Sequence, residues 1–127
     1  MEIIAIAIEG TSETPSIKFD LKQAKLEIKG KSIPENAQEF YKPLVDNLTL
    51  YAPSLNKPVQ VDIELDYFNT YSAKCLLDVF RLLQTIQSQG SHVIINWYYE
   101  KGDKDMLEAG ECFQAIVEMT FNMLQAA

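Results

Sequence analysis

The residues with the most chemical promise lie in one run, Leu65-Asp66-Tyr67-Phe68-Asn69-Thr70-Tyr71-Ser72-Ala73-Lys74-Cys75. Period-2 alternation ends at Phe68 and helical spacing begins at once. Asn69, Thr70 and Ser72 therefore fall at a helix N-terminus, where side-chain oxygens accept from backbone N–H groups that have no partner inside the helix. Capping is one role for them. A second role uses the same geometry: a hydroxyl at a helix N-terminus points into partial positive charge and free N–H donors, which stabilise a phosphoryl group esterified to it. Thr70 is the phosphoacceptor in that reading. Lys74, four residues on over the same face, is placed to pair with the phosphate. The group brings about −1.5 to −2 charges to a surface loop, enough to abolish docking of a partner that packs closely over the bare hydroxyl.

Other candidates for chemistry are weaker. Gly-x-Gly-x-x-Gly, Walker and Gly-x-Ser-x-Gly motifs are absent, and the one histidine, His92, has no evident nucleophile to serve. Cys75 and Cys112 stand far apart without a Cys-x-x-Cys, which argues against zinc and for two reduced thiols. Asp103 and Asp105 begin like a calcium loop, but Gln114 stands at the twelfth position, where a bidentate Glu is required, so they read as helix-start acids. The row Asp62, Glu64, Asp66 is either a solvated strand face or, as like charges needing compensation, a seat for a divalent cation or a basic partner. Trp97-Tyr98-Tyr99 reads as core and sheet edge rather than a stacking platform.

The elements that must position these residues follow from periodicity. Strands are expected at Ile3–Ile8, Ser16–Asp20 and Lys25–Lys29, the last two as a hairpin. Ser32-Ile33-Pro34-Glu35 reads as a capping box opening a helix over about 33–52, kinked or divided at Pro43. From Pro58 to Phe68, Val59, Val61, Ile63, Leu65 and Tyr67 share one strand face, with Gln60, Asp62, Glu64 and Asp66 on the other. Cys75, Leu76, Val79, Phe80, Leu83 and Ile86 stripe the second helix, which Gly90 ends. An apolar strand over His92–Tyr99 comes next, and Gly102-Asp103 turns into a last helix carrying Phe113, Ile116, Val117, Thr120 and Leu124. The order β, hairpin, α, β, α, β, α predicts one α/β domain over 1–127, a mixed and mostly parallel sheet with helices mainly on one face. That architecture resembles the small sandwich of STAS domains.

Composition is consistent with this. The chain has 127 residues, 47% of them hydrophobic, enough for one core without disulfide or metal staples. A net charge of −7 repels nucleic acid and anionic lipid, and no apolar run reaches the roughly 20 residues of a membrane helix. A cytoplasmic location is expected, because the opening residues lack the features of a signal peptide.

Tyr67-Phe68-Asn69-Thr70-Tyr71-Ser72-Ala73-Lys74, with Pro34-Glu35-Asn36-Ala37 upstream and Trp97-Tyr98-Tyr99 downstream, resembles the SiaC family of bacterial regulatory phosphoproteins over most of the chain. The resemblance implies a STAS-like protein without enzymatic activity or cofactor, phosphorylated on the threonine of the Asn-Thr-x-Ser core by a GHKL-type kinase and dephosphorylated by a PP2C-like phosphatase. That threonine is Thr70 here. It further implies that the unphosphorylated form activates an output protein such as a diguanylate cyclase, raising cyclic di-GMP and favouring biofilm growth. Asn69, Tyr71, Ser72 and Lys74 are the expected partner-binding residues. The competing expectations are an unmodified adaptor or homodimer, and a metal-dependent hydrolase built on Asp62, Glu64 and Asp66.

Overall fold

The computed structural model describes residues 4–55 and 57–126, so the expected strand start at Ile3 lies outside the described residues. The elements are β1 (Ile4–Ile8), β2 (Ser16–Asp20), β3 (Lys25–Ser32), α1 (Ala37–Tyr51), a 3-10 turn (Ala52–Ser54), β4 (Val59–Phe68), α2 (Thr70–Ser88), β5 (Val93–Tyr99), α3 (Lys104–Val117) and β6 (Phe121–Gln125). They build one six-stranded sheet in the order β1-β2-β3-β4-β5-β6. The first two pairings are antiparallel and the remaining three parallel.

Each parallel step adds its strand to the same growing edge through a helix, and crossovers of one hand on one edge put every helix on the same face. The strands show that side. Ile17, Phe19, Leu26, Ile28, Val59, Val61, Ile63, Leu65, Ile95 and Trp97 are buried, while the intervening residues stay partly or fully open. α1, α2 and α3 pack side by side over them, α1 on α2 and α2 on α3. Each aliphatic side chain so buried contributes about 1.5–3 kcal/mol relative to exposure.

The open face accounts for the acidic row. Lys25 Nζ lies 3.5 Å from an Asp62 carboxylate oxygen, Asn96 Nδ2 donates to Asp62 at 2.8 Å, and Asn122 Nδ2 donates to Asn96 at 3.0 Å. A polar ladder thus runs across four strands and supplies the compensation that like charges on one face need.

Three expectations need correction. The last helix does not reach Leu124. It ends at Val117, because Glu118 adopts the left-handed conformation (φ 54°), and Phe121–Gln125 then pairs with β5 as a sixth strand. Gln114 Oε1 accepts from Phe121 N–H at 2.8 Å and Gln84 Nε2 donates to the Val117 carbonyl at 2.7 Å, so the switch from helix to strand leaves these backbone groups partnered. The helix near Pro43 begins at Ala37 rather than Ile33 and runs unbroken to Tyr51. The carbonyl that Pro43 cannot serve belongs to the exposed Glu39, where water can serve it. Tyr67 does not face the core, for a reason given below.

A non-glycine residue in the left-handed region costs about 1 kcal/mol. Glu118→Gly should therefore raise the midpoint of thermal unfolding by a few degrees, readable by calorimetry. An unchanged or lower midpoint would mean that the Glu118 conformation carries no strain.

Candidate functional site

The site begins with an irregularity in β4. Gly30 pairs with Leu65 and Lys31 with Tyr67, so Asp66 is an extra residue opposite β3, and Gly30, where the register shifts, has a φ of +121° that glycine adopts without strain. The bulge inverts the alternation. Tyr67 turns out to 55% exposure, and Phe68 turns in, 6.1 Å from the rings of both Trp97 and Phe113. Asp66 leaves the acidic row and lines a cleft of about 200 Å³ with Asp103 and Asp105.

The turn after Phe68 is held by its own side chains. Asn69 is the N-cap of α2, its Oδ1 accepting from Ser72 N–H at 2.8 Å, and Thr70 is the first helical residue, exposed. Tyr71 is 75% exposed, so two tyrosines flank Thr70. Lys74 is exposed one turn on, with no carboxylate within 4.0 Å among the described residues. Four of the five expected site residues thus share one surface.

Ser72 is the exception. It is fully buried, so it offers the loop shape rather than contact. Its Oγ–H donates to the Ser32 carbonyl at 3.0 Å, and its oxygen accepts from Ser32 Oγ–H at 2.8 Å. Ser32 was expected to cap α1. Instead it closes β3, fully buried, and Asn36 caps α1 by accepting from Glu39 N–H at 3.1 Å. The Ser32 oxygen also lies 2.6 Å from the Tyr41 hydroxyl on α1. Neither Ser32 nor Tyr41 carries a signal that would single it out in the sequence. They stand 40 and 31 positions from Ser72, and Ser32 opens a segment that mimics a capping box. The near-universal satisfaction of buried polar groups, which holds for every side chain among the described residues, would link them only once the fold is known.

Burial pushes the Tyr41 hydroxyl up from its ordinary 10.0 to about 12 despite its bond to Ser32. A folded-state value above the unfolded one gives stability that is complete below pH 10 and is lost as pH rises toward 12. Tyr41 should therefore cost the fold about 2–3 kcal/mol across that window. Urea unfolding at pH 9 and pH 11.5 should show a smaller loss for Tyr41→Phe than for the unaltered chain. Parallel losses would refute this.

Beside the loop, α1 and α2 leave a cleft. One part of about 660 Å³ is lined by Asn36, Gln38, Tyr41, Lys42, Val45 and Cys75, and an adjoining part of about 330 Å³ reaches Glu35, Tyr71 and Lys74. Cys75 lies between them, and burial, with the nearby Asp78, pushes its thiol up, away from the nucleophilic thiolate. Asp62 and Glu64 do not form a hydrolytic metal site with Asp66. Alternate residues along a strand stand about 6.6–6.8 Å apart, and both Asp62 oxygens are occupied by Gln60 Nε2 at 3.1 Å. Among the described residues no three His, Cys, Asp or Glu are grouped to hold a metal. No helix among them is long and apolar enough to cross a membrane.

The family model of SiaC family regulatory phosphoproteins matches residues 8–126. An uncharacterised protein of Pseudomonas aeruginosa is 31% identical over 107 residues, covering 84% of this chain and 85% of that protein. The crystal structure of apo-SiaC from Pseudomonas aeruginosa superposes with a TM-score of 0.83 at 29% identity, covering 96% of this chain and 98% of that one. The structure of the diguanylate cyclase SiaD in complex with its activator SiaC, from the same organism, gives 0.89 at 28% identity, covering 95% and 99%.

Proposed function

The chain belongs to the SiaC family of regulatory phosphoproteins, and from that premise we propose that it is a partner switch set by Thr70. The unmodified form docks on and activates an output enzyme, a diguanylate cyclase, and the chain itself performs no catalysis. A GHKL-type kinase adds the phosphoryl group and a PP2C-like phosphatase removes it. The kinase and the cyclase both draw on nucleoside triphosphates, which places the circuit in the cytoplasm.

The observation that carries the reading is Thr70 itself, an exposed hydroxyl on the first turn of a 19-residue helix, flanked by two exposed tyrosines. Exposed aromatic residues are the usual anchors of an interface. A dianion at Thr70 is favoured by the helix end and by Lys74, so the modified state is stable in itself. In a docked complex the same dianion would be buried beside Asp66, against a partner fitted to a neutral hydroxyl. A likeness to SiaC bound to SiaD supports the choice of target.

Peptide mass spectrometry on the protein isolated from its own host, across Asp66 to Lys74, tests the reading. Phosphate on Thr70 in some growth states and not others is the expected result. Its absence in growing and stressed cells alike would return Thr70 to a capping role.

A further inference from the structure

Resting on the reading that Thr70 carries the modification, we infer that Tyr41, Ser32 and Ser72 are positioning residues. They form a buried hydroxyl chain, anchored on α1, that holds the Asn69–Ser72 loop so that a phosphoryl group on Thr70 lies against the free amides of the first turn.

The direction of the chain follows from counting protons. A serine hydroxyl has one, and that of Ser32 goes to Ser72 at 2.8 Å, so Tyr41 is the donor across the 2.6 Å contact. The proton of Ser72 goes to the Ser32 carbonyl at 3.0 Å. The same carbonyl accepts from Asn69 N–H at 3.1 Å. One peptide group at the end of β3 therefore clamps both the residue before Thr70 and the residue two beyond it. The Ser72 amide is taken by Asn69 Oδ1 at 2.8 Å, which leaves the amides of Thr70 and Tyr71 without an acceptor among the described residues. Those two donors are where an added phosphoryl oxygen is aimed.

Tyr41 is the far end of this arrangement and 1% exposed, so it touches no partner surface through its hydroxyl. Its elevated pKa keeps it a proton donor at every physiological pH. Burying three hydroxyls where apolar groups would pack as well gives no stability beyond an apolar core, and what a fully satisfied polar network adds is a single arrangement. Remove the Tyr41 hydroxyl and the buried Ser32 oxygen loses its donor, which weakens the polarised bond it makes to Ser72 and lets the Ser32 side chain turn to other rotamers. The loop then has more than one arrangement while the core around the Tyr41 ring is unchanged.

The test installs phosphothreonine at position 70 during translation, so no kinase is needed, and follows the phosphate by ³¹P NMR titration. In the otherwise unaltered chain its second pKa should lie below the ordinary value of about 6. Tyr41→Phe and Ser32→Ala should each raise it by about 0.5, a roughly threefold weaker hold on the dianion. The double variant should rise no further than either one alone, because both break one chain. Ser72→Thr, which keeps the hydroxyl, should titrate like the unaltered chain. Amide exchange at Ser72 should quicken in Tyr41→Phe. A phosphate that titrates identically in the unaltered chain and in folded Tyr41→Phe would overturn the inference, whereas absence of native phosphate on Thr70 would overturn only the reading it rests on.

Discussion

Thr70→Glu should bind its target roughly 30- to 150-fold more weakly than the unaltered chain, and Thr70→Ala should bind as tightly as the unaltered chain while losing control. Docking over Thr70 buries a neutral hydroxyl between Tyr67 and Tyr71, both of which are well exposed in the free chain. Bringing a full charge into such a contact costs its hydration. Asp66, exposed and four residues before Thr70, adds like-charge repulsion. About 2–3 kcal/mol is a modest figure for an uncompensated charge in an interface, and it converts to that fold-change. Phosphothreonine carries more charge than glutamate and should do more. Alanine removes a hydroxyl that water serves in the free chain, so it leaves nothing unsatisfied at the interface. Calorimetry against a diguanylate cyclase of the host, with cyclic di-GMP formation as the second readout, measures all three. Equal affinities would sink the switch, because Thr70 would then lie outside the contact. Tyr71→Ala should weaken binding whatever stands at position 70, which separates the anchor from the switch.

Much of this surface is legible without a structure because it depends on neighbours in sequence. The step from strand to helix at Asn69, the cap, the exposed Thr70 and Lys74 one turn on are all local, and the structure places them as their spacing predicts. What stays hidden depends on residues brought together by the fold. The bulge at Asp66 arises from the register with Gly30 on a neighbouring strand, so strict alternation wrongly puts Tyr67 in the core. Ser32 has a local explanation as a cap, which conceals its bond to a residue 40 positions away. β6 fails for another reason. Five residues give period 2 little room, and Val117, Thr120 and Leu124 happen to continue the helical spacing of α3. Only the left-handed Glu118, a conformation rare outside glycine, breaks the helix, and a glutamate gives no warning of it.

Gly110→Ala should lower stability by about 2–4 kcal/mol, against the usual sign of this exchange. In a helix interior, alanine for glycine stabilises by about 1 kcal/mol. Here the added Cβ would stand 2.6 Å from Trp97 Cδ1 and 2.7 Å from its Nε1. A flexible neighbour could give way, but Trp97 is fully buried and hemmed by the rings of Phe68, Phe80, Phe113 and Phe121, with centroids 5.6 to 6.3 Å away. Its indole N–H also donates to the Met106 carbonyl at 2.9 Å, one turn before Gly110 on the same helix. The ring cannot retreat without leaving that carbonyl, so α3 must lift from β5 instead. Overpacking costs about 1–3 kcal/mol and a strained buried hydrogen bond adds about 1–3, which outweighs the gain in helix propensity. Thermal unfolding should fall by roughly 10 °C, at about 4 °C per kcal/mol for a domain of this size. Adding Trp97→Phe should recover part of the loss, since a smaller ring makes room where the methyl intrudes. An unchanged midpoint for Gly110→Ala would mean that α3 is free to shift. One route leads from this packing to the site, because Phe68, two residues before Thr70, lies against Trp97 and Phe113, while Ser32 and Tyr41 hold the Thr70 loop from β3 and α1. Well below its midpoint the folded variant should therefore lose far less target binding than Thr70→Glu does, which separates a change in packing from a charge placed at position 70.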